Sequence, residues 1–221
     1  MATRRSKRPR LIETEADLRD GIRLLRRKCA IARLMHDAAG VPPLRRRQAG
    51  FEGLARIVVG QQLSVASAAA IWGRTAALVD PFEPSRLLSM PDETLRSAGL
   101  SAGKVRTLRA IADAVQGGLD LEGMAGHTEE DVHEALTAVT GVGPWTADVY
   151  IMFCLGRADG FAAGDLALQV ALQMAAGLEA RPTARELAEF AERWRPWRGV
   201  AAHLLWAYYK VRKSSGSALP V

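Results

Sequence analysis

Between residues 128 and 156 the chain writes two helices joined by only three residues, Gly141-Val142-Gly143, a connection that permits little besides a tight helical hairpin. Thr128 can cap the first helix, with Asp131 three positions on, and Val132, Ala135, Leu136 and Val139 recur along one face. Gly141 reads as a left-handed C-cap, and Pro144 opens the second helix where its missing N–H costs least. Trp145, Val149 and Met152 then share a face. Two residues without Cβ let another backbone approach closely, while amides beside a helix N-terminus point outward, which is the chemistry of a phosphate site. An ordinary helix-to-helix turn has the same local pattern, so the spacing alone leaves both readings open.

The rest of the chain is helical in the same way. From Thr14, the residues Leu18, Ile22, Leu25, Cys29 and Ala32 recur at three- and four-residue spacing until Gly40, Pro42 and Pro43 stop the pattern. Further helices are expected at 51–62, 64–79, 91–98, 102–117, 129–139, 144–156, 166–176, 183–193 and 197–213. No stretch alternates with a period of two. The expectation is an all-α, two-lobed helical bundle with a central cleft. A basic arm (1–10) would precede one lobe built from both termini (11–50 with about 160–221), and a helical barrel lobe (51–159) would carry the hairpin at 129–156.

Charge is unevenly spread. Residues 1–50 hold fourteen Lys and Arg against five Asp and Glu, so although the whole chain is +6, the part after residue 50 is net negative. A polyanion would therefore be gripped by local devices such as amides and helix N-termini, with the basic segment adding screened attraction. No segment approaches the roughly 18 apolar residues of a membrane span, and the basic N-terminus has no apolar stretch of a secretory signal, so the expected setting is the cytoplasm. Cys29 and Cys154 are too few for a disulfide framework or for the four thiolates of an iron–sulfur cluster. His36, His127, His133 and His203 lack ligand spacing, so no transition-metal site is expected.

The hairpin residues Val139-Thr140-Gly141-Val142-Gly143-Pro144-Trp145-Thr146-Ala147-Asp148 resemble the helix-hairpin-helix DNA glycosylase superfamily, and specifically its DNA-3-methyladenine glycosylase II group. The likeness continues through Phe161 to Gln169 and through Trp194-Arg195-Pro196-Trp197-Arg198. Upstream, Phe51 to Ser64 (FEGLARIVVGQQLS) resembles the helix carrying the group's Gly-Gln-Gln-Leu-Ser motif. The resemblance thus covers roughly residues 45–210. It implies a monofunctional DNA glycosylase for base excision repair, which flips and hydrolyses out alkylated purines of the 3-methyladenine and 7-methylguanine type.

The resemblance places the catalytic aspartate at Asp165, in FAAGDLALQ. An Asp before an apolar helical run is also an ordinary N-cap, and the two roles are compatible, because amides at a helix start stabilise the ionised form. A carboxylate there can stabilise the oxocarbenium-like sugar and orient or deprotonate water, while a base alkylated on a ring nitrogen is already cationic and leaves without a strong general acid. Strand-cutting relatives use a lysine amine in the second hairpin helix; Trp145 stands here, so water is the expected nucleophile. Gly164 replaces the second acidic residue of some members, and Ala162 a frequent proline.

By the same resemblance Trp145 and Trp206 look like pocket walls for a cationic base, with Tyr150 a third candidate, whereas Trp194 and Trp197 look like packing residues. Thr140, Gly141, Val142, Gly143 and Thr146 are the expected DNA contacts of the hairpin, and the backbone carbonyls of Thr137, Val139 and Val142 the expected holders of a Na or K ion; no other cofactor is required. Gln61, Gln62 and Leu63 are candidates to fill the hole left by a flipped base. Ala98-Gly99-Leu100-Ser101 is a second candidate DNA-contacting turn. The expected partner is double-stranded DNA with damaged bases, bound by a monomer and met at the nucleoid, or in the nucleus of a eukaryote. A glycosylase for deaminated or oxidised bases and a non-catalytic hairpin module are the alternatives.

Overall fold

The computed structural model describes residues 9–215, and the basic arm expected at 1–10 lies outside them except for Pro9 and Arg10. Among the described residues there are twelve α-helices and no strand; Leu11 and Arg157 form an isolated antiparallel bridge. The fold is all-α, and the chain divides into two compact units, one comprising Met1–Arg46 with Gly156–Val221 and the other Arg47–Leu155. The breaks fall four residues before the positions expected from sequence.

In the first unit, α1 (Glu15–Lys28) starts at a Thr14 capping box with Asp17 and buries Leu18, Gly21, Ile22 and Leu25. The single N-terminal helix expected from periodicity is in fact two. Cys29 takes an extended conformation between α1 and α2 (Ala30–Ala39), and the Trp194 indole N–H lies 3.4 Å from its sulfur. The spacing of apolar residues survives such a break because both halves bury their stripes within the same unit, so periodicity cannot reveal it.

The second unit begins with α3 (Phe51–Gly60), which buries Phe51, Leu54, Ala55, Ile57, Val58 and Val59. Around it are α4 (Val65–Leu78), α5 (Pro84–Ser89), α6 (Asp92–Ser97), α7 (Ala102–Gln116), α8 (Glu129–Thr137) and α9 (Pro144–Phe153), with α3 touching α4, α7 and α9. Leu54 is fully buried, and trimming it to Ala would cost about 2–5 kcal/mol. Helix α5 was not foreseen: a Pro at its first turn starts it and six residues are too few to show a period.

The chain then returns to the first unit with α10 (Leu166–Ala176), α11 (Ala184–Ala191) and α12 (Arg198–Ser214). Helix α12 is the spine of this unit, packing against α1, α2 and α10 through Val200, Ala201, Leu204 and Leu205, all fully buried. Its start is fixed by Gly199, whose N–H donates to Ala158 O at 2.8 Å and where a Cβ would stand 2.9 Å from that oxygen. That contact brings α12 beside the segment leading into Asp165.

Candidate functional site

The two helices of the hairpin are α8 and α9. Thr128 and Asp131 form the capping box that their spacing foretold. Helix α8 stops at Thr137, before Gly141, so Gly141 is a turn residue and not the C-cap; its φ is +86°, and a Cβ there would collide with Thr107 Oγ1 at 2.1 Å. Gly143 differs. Its φ of −91° suits any residue, and a Cβ would meet nothing within 4 Å. The bare surface at Gly143 therefore leaves room for something outside the chain. Neither the Gly141 nor the Gly143 amide donates to the backbone of the described residues. Amides of this kind at the head of α9 suit an anion. Thr140, Gly141 and Pro144 are exposed, but Val142 is buried, and it enters only through its main chain.

Thr146 is not an exposed DNA contact. It is 1% exposed, and its Oγ1 accepts the Gln61 Nε2–H at 2.7 Å. Gln61 and Thr146 thus hold each other, and the turn after α3 is tied to the head of α9. Within that turn Gln62 has φ +56°, the left-handed region, at about 1–2 kcal/mol for a residue with a Cβ. Gln62 and Leu63 are exposed, and Leu63 keeps 37% of its surface. An exposed apolar side chain on a strained loop fits insertion into a base stack. The other candidate turn is capped by Ser101, which accepts the Lys104 amide, with Gly99 at φ +101°.

In the first unit, Asp165 caps α10: its Oδ1 accepts the Leu168 amide at 3.1 Å and the Trp206 indole N–H at 3.1 Å. The Arg45 guanidinium lies 5.6 Å over the Trp206 ring. Burial lowers its pKa, and the Asp165 charge works the other way. His203 completes the group. Its ring meets Trp206 edge-on at 6.3 Å, and its Nδ1–H donates to Gly199 O at 2.8 Å. Burial pushes the His203 pKa down to about 4, opposed by the Gly199 carbonyl and aided by the Arg45 charge. A neutral ring therefore packs against Trp206, whose indole N–H holds Asp165. With a guanidinium already over it, one face of the indole is not open to a cationic base.

Tyr150 is corrected outright. It is fully buried, its hydroxyl accepts from Gly50 N at 2.9 Å and donates to Leu121 O at 3.0 Å, and burial raises its pKa, so it is a core residue of the second unit. Trp145 is half-buried on the first turn of α9. It belongs to a different unit from Asp165 and Trp206. Trp194 and Trp197 pack in the core as expected, at 0% and 8% exposure. Phe51 and Trp72 flank Phe82 at 5.4 and 4.8 Å. No group of three or more His, Cys, Asp or Glu side chains among the described residues could hold a metal ion. No helix among them is long and apolar enough to cross a membrane. Sequence reasoning missed Arg45 and His203, since nothing local ties either to Asp165.

A glycine-turned hairpin with open amides and a helix-capping carboxylate define a helix-hairpin-helix protein. The family model for HhH-GPD superfamily base excision DNA repair proteins matches residues 55–196, and the chain belongs to that superfamily. It is 31% identical over 166 residues to the DNA-3-methyladenine glycosylase 1 of Schizosaccharomyces pombe, covering 73% of each chain. Among solved structures, the S. pombe 3-methyladenine DNA glycosylase in complex with abasic DNA superposes with a TM-score of 0.78 at 27% identity, over 88% of this chain and 97% of that one. The DNA-3-methyladenine glycosidase of Bacillus halodurans gives 0.73 at 30% identity, over 96% and 94%.

Proposed function

We propose that this protein is a DNA glycosylase that removes alkylated purines, of the 3-methyladenine and 7-methylguanine type, by a monofunctional mechanism in base excision repair. The carrying observation is Asp165, a carboxylate that both caps α10 and receives the Trp206 indole N–H. The relatives' names carry 3-methyladenine, and they support the choice of lesion.

The hairpin amides around Gly141 and Gly143 take a phosphate, with Thr140 beside them and the main chain of Val142 between. The Gln62-Leu63 tip fills the gap as the damaged nucleotide leaves the stack. The C1′–N bond then breaks, and its electron pair neutralises the positive charge of the departing base. Asp165 stabilises the cationic sugar, water attacks C1′, and a water proton passes to the carboxylate, leaving free base and an abasic site. Trp145, at the position of the strand-cutting relatives' lysine, offers no amine to form a Schiff base. The duplex is the partner of one copy of the chain, at the nucleoid or in a nucleus.

The hairpin carbonyls also suit a monovalent cation. Val139 O accepts the Val142 amide at 3.0 Å and retains a second lone pair, while Thr137 and Val142 oxygens take no backbone N–H outside the helices. Those three oxygens would hold it, and it would add positive charge beside the phosphate.

Release of free base from methylated duplex DNA tests the reading, with wild type and Asp165→Asn side by side. Asn caps a helix about as well as Asp, so the fold is kept. Wild type should release 3-methyladenine and 7-methylguanine, and the variant should fall by about a hundredfold or more while still binding abasic DNA. Undiminished release by the variant would remove Asp165 from the reaction.

A further inference from the structure

Lys104 lies in the first turn of α7, where a positive charge is unfavourable to its own helix dipole. Its head group goes elsewhere. The ammonium donates to Val59 O at 2.8 Å and to Gln61 O at 2.9 Å, the carbonyl end of α3, where the dipole favours a cation. Burial lowers its pKa, so the charge is held there against partial desolvation.

These bonds frame the strained turn. Gln61 is gripped twice, through its carbonyl by Lys104 and through its side chain by Thr146. On the far side Ser64 caps α4, its Oγ accepting the Ser67 amide at 3.1 Å. Between these fixed points stand Gln62, the one non-glycine residue with positive φ among those described, and exposed Leu63. A left-handed glutamine persists only where its surroundings over-determine it. We infer that Lys104 is a positioning residue whose ammonium holds Gln62 and Leu63 in the conformation that enters the duplex. The inference rests on the glycosylase reading. Without the ammonium the Gln61 carbonyl can rotate, Gln62 can relax to negative φ, and the tip is lost. Base extrusion should suffer, and the hydrolytic step at Asp165 should not.

The test is single-turnover excision of one 7-methylguanine, placed either in a fully paired duplex or in an unpaired bulge where extrusion is already made easy. Lys104→Met keeps the apolar stem, and Lys104→Gln keeps a donor without the charge. Each should slow the paired substrate by about ten- to a hundredfold, as expected for loss of charge-assisted hydrogen bonds, and the bulged one by less than about threefold. Equal slowing on both substrates, or slowing on neither, overturns the inference. Should the methionine variant fail to fold, the glutamine variant carries the same comparison. Gln62→Gly supplies a second measurement: glycine adopts positive φ at little cost, so removing Lys104 in that background should slow the paired substrate less than it does in wild type. Strictly multiplicative effects would count against it. Wild-type release from methylated duplex is a separate result, so a working glycosylase with an unchanged paired-to-bulged ratio fails this inference alone.

Discussion

The Trp206 indole N–H and the Leu168 amide converge on the same oxygen, Oδ1 of Asp165, each at 3.1 Å. Two donors on one oxygen fix the rotation of the carboxylate, and a hydrogen bond to an ionised acceptor contributes about 1.5–3 kcal/mol. Trp206→Phe keeps an aromatic wall and removes the donor. The single-turnover excision rate should fall by about ten- to a hundredfold while affinity for abasic DNA stays close to wild type. A residue acting only as a wall would show the reverse pattern, with binding weakened and the rate of the bound complex preserved.

The two glycines of the hairpin turn should respond oppositely to alanine. Gly143→Ala adds a methyl group that meets nothing in the chain, at a φ any residue adopts, so thermal stability should be unchanged. Its cost should fall on DNA: weaker duplex binding at every salt concentration, as a phosphate is pushed off the amides. Gly141→Ala combines φ +86° with a Cβ 2.1 Å from Thr107 Oγ1. It should lose about 1–3 kcal/mol, roughly 2–10 °C in Tm. Melting curves with binding isotherms separate the cases, and a Gly143→Ala protein that binds DNA normally would take this turn out of the interface.

The hairpin was legible because its signals are local: a capping box, a glycine that needs positive φ and a proline at the first helical turn all act within a few residues. Asp165 was legible locally only as a cap before an apolar run, and its place in the site came from the family resemblance. What surrounds these residues was not. Arg45 reaches the Trp206 ring from 161 positions away, and Lys104 reaches the carbonyls of Val59 and Gln61 across more than forty. Such contacts depend on helix packing, which leaves no spacing in the sequence. Tyr150 and Thr146 were misassigned for a related cause. Tyr150 was expected at the pocket and Thr146 at the DNA, but their hydroxyls serve Gly50, Leu121 and Gln61 inside the second unit.

The proposed water mechanism predicts that no covalent protein–DNA intermediate forms during turnover. A lyase forms a Schiff base that borohydride reduces to a stable protein–DNA adduct. With Trp145 in the lysine position, borohydride during turnover on methylated duplex should yield no adduct, and product strands should break only on later alkaline treatment. A trapped adduct would require another amine, and would replace the monofunctional reading with a bifunctional one.

His203 gives the fold a pH dependence whose sign follows from burial. Its pKa in the folded protein is about 4, below the ordinary value near 6.5, so between these values the unfolded chain binds a proton that the folded one excludes. Stability is therefore full above about pH 6.5 and declines as pH falls towards 4, by as much as about 3 kcal/mol from this one group. His203→Gln offers a neutral side chain at every pH. Its Tm should lie below wild type at pH 7.5, where the Gly199 bond and the packing on Trp206 are disturbed, and the gap should hold to about pH 6.5 and then shrink towards pH 4.5. Calorimetric melting of both proteins across that range gives the comparison. Parallel curves would mean that the folded ring takes up a proton as readily as the unfolded one, so that its contact with Trp206 is made by a cation below about pH 6.5.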